Sequence, residues 1–400
     1  MNIDKLSVVL LALLLAGIAP YVSAIDDIDY SSVNGVSTLP FPELHFDPSQ
    51  EYVDVISELN PDINAQSLKI SGTLSTSEKS DVSKIPFGSI IFHSNEGVTT
   101  VFDSNGNQRF AAKDSQSTQI ATPKGLIPAT RLHGIPSGSA IVTSGNITYV
   151  SNDNVLLFKE IQERGPASSR TSSPYPLMNP DQYVEGLYGT PASSSLGNYV
   201  TRWIVPSSPE NHGTSPIYVW NGIQSDGPIP VFNWNALIQP VLQWNVQPGE
   251  WSYASWFVFG DTLPGGSIGY HSAEVTGVQP GDVIEGQMTY DAALQKWTIQ
   301  TKDITRNLPT STYTTSGMLP NSDILIEAYL ESWESGLPRY MPGPISFYDF
   351  IIQDTNGASC LPNTISFEYL RNQWPYLTLN ISNTTYWPNS LNNPLVFTTH

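Results

Sequence analysis

Pro280-Gly-Asp-Val-Ile-Glu-Gly-Gln-Met-Thr-Tyr290, followed by Lys296-Trp-Thr-Ile-Gln-Thr301, decides the fold class. Pro280-Gly281-Asp282 is a turn. After it Val283, Glu285, Gln287 and Thr289 alternate with their neighbours at the period of two that marks a half-buried strand. The same texture spreads outward from this pair. Strand-like runs occupy Tyr199–Val205, Pro216–Gly222, Leu237–Trp244, Tyr253–Phe259 and Ser272–Val278 before it, and Ile324–Trp333 and Ile345–Ile352 after it. Clusters of Gly, Pro and Asn separate them at the intervals of a sandwich or barrel. From about Tyr183 onward no convincing helix is predicted.

Towards the N-terminus the text becomes compact strand-and-turn units. Ser89-Ile-Ile-Phe-His93 and Val98-Thr-Thr-Val-Phe102 precede the turn signal Asn105-Gly106. Ala140–Thr143, Ile147–Val150 and Val155–Phe158 continue the pattern, with Ser144-Gly-Asn146 as a hairpin turn. They predict a small β unit, preceded by a Pro-rich polar lead and a short helix near Tyr52–Leu59. Arg164-Gly-Pro-Ala-Ser-Ser-Arg-Thr-Ser-Ser-Pro-Tyr-Pro176 is too rich in Pro and Ser to pack regularly and is expected to be an exposed linker, easily nicked.

At the start of the chain, Lys5 precedes the apolar run Leu6–Val22, and Val22-Ser23-Ala24 ends it with small residues suited to signal peptidase. An uncleaved anchor helix is the competing reading. The break at Ala19-Pro20 and the acidic residues Asp26, Asp27 and Asp29 favour cleavage and a secreted, extracellular product. The expected organisation is a signal peptide over 1–24, a propeptide-like N-terminal region with a small β unit over 25–163, a linker over 164–182 and a β-sandwich domain over 183–400.

Composition narrows the class. Charged residues make up only 13% of the chain, against 29 Gly, 32 Pro, 10 Trp, 19 Tyr and 14 Phe, which favours short strands over helices. A net charge of −19 argues against nucleic acid and anionic lipid as partners, because both would be repelled, and no stable membrane partner is expected. The single cysteine, Cys360, excludes an intramolecular disulfide; in Ala-Ser-Cys-Leu-Pro it reads as a small buried residue. Asn146, Asn380 and Asn383 head glycosylation sequons.

An ordered set of motifs carries a resemblance. Thr201-Arg-Trp-Ile-Val-Pro206, Tyr218-Val-Trp-Asn-Gly-Ile223, Leu237-Ile-Gln239, Ala254-Ser-Trp256, Val278-Gln-Pro-Gly-Asp-Val-Ile284 and Ile326-Glu-Ala-Tyr-Leu-Glu-Ser332 are similar, in order and spacing, to the glutamic peptidases called eqolisins. The resemblance covers about residues 183–355. It implies an all-β fold, a concanavalin-like two-sheet antiparallel β-sandwich preceded here by a smaller β-rich N-terminal domain. It also implies acid endopeptidase activity on a polypeptide substrate, without cofactor or metal.

Hydrolysis of a peptide bond in this way needs one carboxyl group that first activates water and then protonates the leaving amine, and a polar donor for the developing oxyanion. Matched by position, the resemblance puts the donor on Gln239 and the carboxyl on Glu327. Gln243 lies on the same strand face as Gln239 and is its rival. Alternation sets Leu325, Glu327, Tyr329 and Glu331 on one face of their strand and Ile324, Ile326, Ala328 and Leu330 on the core face. Trp203 and Trp256 are expected in or beside the same face as Tyr329, lining a substrate groove. Desolvation there would raise the carboxyl pKa to roughly 4–6. Pro240, directly after Gln239, predicts a bulge or a sheet edge, and Val258 stands where many members carry a glutamate.

Other chemistries find less support in the residues. Gly265-Gly-Ser-Ile-Gly269 matches a nucleophile elbow only formally, because a strand and not a helix follows. The six histidines are scattered, with no pair at metal-ligand spacing, so no metal site is predicted. Glu327 and Glu331 on one strand cannot flank a glycosidic bond. A non-catalytic, lectin-like protein that binds glycans or surface polymers through exposed tryptophans remains the alternative from another class.

Overall fold

In the computed structural model Val283–Asp291 is a strand. Ile284 and Met288 face the core, whereas Val283, Gln287 and Thr289 are half-buried on the other side. On that outer side Glu285 is gripped by Arg202 at 2.8 Å and Lys302 at 2.6 Å. Burial raises the pKa of Glu285, and the two cations beside it outweigh burial and leave it below the ordinary value. The structure describes residues 73–74, 85–163, 182–189, 195–360, 377–381 and 394–399, less 118, 124, 145, 212–215, 226–235, 261–266, 317–323 and 333–337. The expected signal peptide, the expected helix near Tyr52–Leu59 and nearly all of the expected linker lie outside the described residues.

Two sheets pack face to face. The smaller, eight-stranded sheet runs in the order Gln182–Gly189, Ile324–Ser332, Ile217–Ser225, Ala236–Trp244, Trp251–Phe259, Ile268–Ser272 and Leu132–Ile135, and Val275–Val278 also pairs with Trp251–Phe259. The larger sheet has thirteen strands, centred on Ile345–Asp354, Leu196–Ile204, Val283–Asp291, Lys296–Asp303 and Ser311–Ser316. Between the sheets lies a core that includes Trp203, Val219, Ile238, Leu242, Phe257 and Met288. The all-β sandwich expected from the strand pattern is the fold.

The smaller sheet is buried on both faces. Every residue of Ala236–Trp244 and Trp251–Phe259 is buried, which is why these stretches read as nearly continuous apolar runs and not as alternation. A second apolar cluster, Tyr218, Trp220, Leu237, Val241 and Trp256 with Ile127 and Leu132, sits on the sheet's outer face.

Strands from before residue 163 continue the same two sheets. Ser139–Ser144 pairs in parallel with Ser311–Ser316, and Leu132–Ile135 in parallel with Ile268–Ser272. Ile147–Asn152, Val155–Gln162, Ser89–His93, Val98–Phe102 and Gln108–Lys113 then extend the larger sheet. All described residues belong to one unit, Pro48–His400. Within 196–354 every strand pair is antiparallel; the parallel pairs all involve N-terminal strands.

Three local expectations are corrected. Ser272–Val278 is two strands, broken at Ala273-Glu274. Pro240 is neither bulged nor at an edge: its strand is central, and its register to Trp251–Phe259 is unbroken, with Pro240 opposite Ser255. What Pro240 costs is ladder bonding to Ile217–Ser225, where pairing is interrupted between Trp220–Val241 and Ile223–Ile238 while the register is kept. Trp203 is fully buried between the sheets, stacked obliquely on Phe347, and so lies on the opposite side of the smaller sheet from Trp256. Its strand neighbour Arg202 takes the solvent side, bonded to Glu285 and Asp349, and alternation forces Trp203 inward.

The two sheets approach closely at Gly286. A Cβ there would lie 2.1 Å from Asn221 Oδ1, 2.7 Å from the Trp203 ring and 2.8 Å from Pro240 Cβ. Two of these are rigid groups, so the neighbours cannot yield cheaply. Gly286→Ala is expected to destabilise the fold by about 1–3 kcal/mol, read as a lower urea midpoint at unchanged m-value. An unchanged midpoint would mean the sheets can part here.

Candidate active site

The outer face of the smaller sheet is organised in rows across the strands. One row follows directly from the registers: Glu327 pairs with Gly222, Gln239 with Trp256, Trp256 with His271, and His271 with Gly134. The unbroken register between Ile217–Ser225 and Ala236–Trp244 sets Gly222 opposite Gln239. Glu327 and Gln239 therefore share one row with a single glycine between them. Their backbones are two strand spacings apart, about 10 Å, and the position between them has no side chain of its own.

The surroundings of the two glutamines differ in the next rows. Trp220 pairs with Tyr329 and with Val241, and the Trp220 and Tyr329 rings stack at 4.4 Å, only 3° from parallel. This stack is worth about 0.5–1.5 kcal/mol beyond its area. It leans over Gly222, where a Cβ would meet the Trp220 ring at 2.7 Å. In the row beyond, Glu331 pairs with Tyr218 and Tyr218 with Gln243. There a tyrosine fills the intervening position, and Gln243 Oε1 accepts from Trp256 Nε1 at 3.2 Å. Beside Gln239 the intervening residue is instead a glycine, with the Trp220 ring over it.

Both members of the pair are buried, Glu327 at 1% and Gln239 at 0% exposure. The alternation expected for Ile324–Ser332 holds where side chains are described: Ile326, Ala328 and Leu330 join the inter-sheet core, while Glu327, Tyr329 and Glu331 take the opposite face. Trp256 stacks on the His271 ring at 4.8 Å, and burial lowers the pKa of His271.

The face is covered by a segment that sequence reasoning passed over. Gln119–Thr122 and Gly125–Pro128 form a two-stranded hairpin. Ile120 and Ile127 pack into the outer-face cluster. Tyr218 Oη donates to the Ala121 carbonyl at 2.8 Å, and Gln239 Nε2 donates to the Pro123 carbonyl at 2.8 Å. Gln239 Oε1 makes no hydrogen bond. The one signal in the sequence was Pro123-Lys-Gly125, a turn between two short apolar runs.

The remaining expected residues are quickly placed. Cys360 is buried in the core, and burial pushes its thiol up to about 11, far from a nucleophile's range. Ser267 leads straight into the strand Ile268–Ser272, so no helix follows the Gly-rich loop. Asn146 spends its side-chain amide on the Gln162 carbonyl at 2.7 Å. Against the scatter of histidines along the chain, His93, His133 and Glu160 come together in the fold, with ligand atoms within 4.8 Å of one another.

No protein-family model matches the sequence, and no curated protein matches it. Among solved structures, scytalido-glutamic peptidase with a peptide-based transition state analogue is similar over 55% of this chain and 98% of that one, at 13% identity and a TM-score of 0.35. SCP-B, a member of the eqolisin family of peptidases in a complex with the tripeptide Ala-Ile-His, is similar over 55% and 98%, at 12% identity and a TM-score of 0.33. The lectin UEA-II complexed with galactose follows at 8% identity and a TM-score of 0.21. The resemblance to eqolisins is thus a distant one, over part of the chain.

Proposed function

We propose that this chain is an exported, acid-active peptidase of the glutamic type whose own hairpin, residues 119–128, occupies the position of substrate. The observation that carries the reading is the hydrogen bond from Gln239 Nε2 to the Pro123 carbonyl. The side chain assigned to stabilise an oxyanion already binds a backbone carbonyl, in a row shared with a buried carboxyl group. In the proposed reaction Glu327 takes a proton from water, which adds to the scissile carbonyl, and the Gln239 amide donates to the resulting oxyanion. Glu327 then gives the proton to the leaving amine as the C–N bond breaks. Trp256, Tyr329 and Trp220 are the apolar surface against which the peptide lies, and the rigid Trp220–Tyr329 stack fixes its position. The peptide ligands bound in the two peptidase structures agree with a polypeptide substrate.

The test is hydrolysis of casein by the purified protein from pH 2 to 7, beside Gln239→Ala. Loss of one oxyanion donor lowers turnover by about a hundred- to a thousandfold and leaves KM nearly unmoved, because the bond strengthens in the transition state. An unchanged kcat would remove Gln239 from the mechanism. If neither the full chain nor a chain relieved of its hairpin cleaves at any pH, the glycan-binding reading replaces this one.

A further inference from the structure

A buried polar cluster elsewhere in the molecule has no part in that reaction. His93 and Glu160 come from adjacent strands of the larger sheet, Ser89–His93 and Val155–Gln162, and His133 and Tyr270 come from adjacent strands of the smaller one, Leu132–Ile135 and Ile268–Ser272. His93 and Glu160 are each 1% exposed, His133 2% and Tyr270 0%. Glu160 Oε1 touches His93 Nε2 and lies 3.4 Å from His133 Nε2, and Glu160 Oε2 accepts from Tyr270 Oη. Neither ring nitrogen of His133 makes a hydrogen bond. A buried imidazole whose Nδ1 has no hydrogen bond and whose Nε2 has only the 3.4 Å approach to Glu160 is costly unless something binds it.

The hydrogen bonds around the cluster fix which nitrogen of His93 is available. Thr99 Oγ1 donates its one proton to Asp114 Oδ1 at 2.6 Å, so it can only accept from His93 Nδ1, 2.8 Å away. The Nδ1 therefore carries hydrogen, and the Nε2 lone pair points at the Glu160 carboxylate. Two acceptors in contact need a proton or a cation between them. Asp114 is matched by Arg131 at 2.6 Å, both fully buried, and takes a second donor from Thr130 at 2.8 Å. That leaves Glu160 to be balanced within its own cluster.

We infer that His93, His133 and Glu160 form a buried site for a divalent transition-metal ion, Zn²⁺ by the ligand set, with Tyr270 Oη beside the fourth position. Two nitrogens and one carboxylate oxygen suit zinc. Ligands at about 2.0–2.1 Å from a tetrahedral ion stand about 3.3–3.4 Å apart, the separation of His133 Nε2 and Glu160 Oε1. The chain from His93 through Thr99 to Asp114 and Arg131 is the kind of outer support that orients a ligating imidazole. His93 and Glu160 stand closer than two ligands of one ion, so the ion displaces the proton they share and separates them. The site takes ligands from both sheets, all of them on strands before residue 163, and is a closed, structural one: it ties the N-terminal part of the larger sheet to the edge strand Leu132–Ile135 of the smaller.

The experiment uses the full chain, purified without an affinity tag that binds metal. Metal content by mass spectrometry is expected near one equivalent of zinc per chain, or to reach one after dialysis against a chelator and titration with ZnCl₂. CoCl₂ in its place should give the visible absorption of four-coordinate cobalt. Zinc should raise the Tm of the stripped protein by about 5 °C or more. His133→Ala, which removes a ligand and leaves the His93–Glu160 contact, should abolish the cobalt spectrum and the Tm shift together. His271→Ala, on the other side of the sheet, should leave both intact. Should His133→Ala fail to fold, metal content and the cobalt spectrum of the wild type decide alone. Less than about a tenth of an equivalent bound with no Tm shift would overturn the site and leave a proton shared between His93 and Glu160. Because none of these readouts is proteolysis, the site stands or falls apart from the proposed activity.

Discussion

Glu327→Gln is expected to lower the rate of casein cleavage by about a thousandfold or more at the acid optimum, with no change in the circular dichroism spectrum. The magnitude follows from the double duty of one group. General base and general acid each contribute about a hundred- to ten-thousandfold, and here one carboxyl group serves both steps in turn. The substitution keeps the volume of a side chain that is only 1% exposed, so the packing against Gly222 and the neighbouring strands survives. The sign with pH is also determined. The attacking step needs the carboxylate, and the acid for the leaving step is made within the cycle by the proton taken from water, so the wild-type rate falls as the pH drops through the pKa of this one group. The residual rate of the variant should lose that limb. If Glu327→Gln cleaves at the wild-type rate, the dyad is wrong even for a protein that proves to be a peptidase.

The second large effect is a gain. Replacing residues 118–128 by Gly-Gly should raise cleavage of added peptide by about tenfold or more. The graft is geometrically mild, because the segment's two ends are already close: the Thr130 amide donates to Ser117 Oγ at 3.3 Å. An occupant on the same chain competes at an effective concentration of about a millimolar, which few added substrates match. Excision also bares Tyr218, Val241 and Trp256, so the variant should bind apolar dyes and tend to associate. Initial rates against the wild type at equal concentration measure the gain. A folded variant whose rate does not rise would show that the hairpin is scaffold and not an occupant.

How much of this was legible in the sequence depends on which faces of a strand are buried. Val283–Asp291 alternates because one of its faces meets solvent, and its boundaries could be read almost to the residue. Ala236–Trp244 has no solvent face, so its parity is silent. Position in the motif set, and not periodicity, pointed to Gln239. Trp203 was misplaced although its neighbour Arg202 marked the outer side; a tryptophan looks alike on either face, and the charge beside it was the better guide. The strands at 119–122, 125–128 and 132–135 have four residues each, too short to show a period, and the latter two carry Gly. Gly222 could not be recognised as the residue between Glu327 and Gln239 until its partners across two strands were known. The meeting of His93, His133 and Glu160 depends on pairings between distant strands, and no local pattern records those.

The parallel pairing of Ser139–Ser144 with Ser311–Ser316 has a kinetic side. A strand made early must wait, with its edge unpaired, until more than half the sandwich has been synthesised and can receive it. Closure over such sequence distances is slow and exposes edges while it lasts. A cut in the linker between 164 and 182 would leave the finished molecule held together by its sheets. The cut would also free the ends whose covalent connection had kept the late search intramolecular. The fold would then be reached once, by the intact chain, and after cleavage it would persist by the height of its unfolding barrier, with no practical route back from the separated pieces.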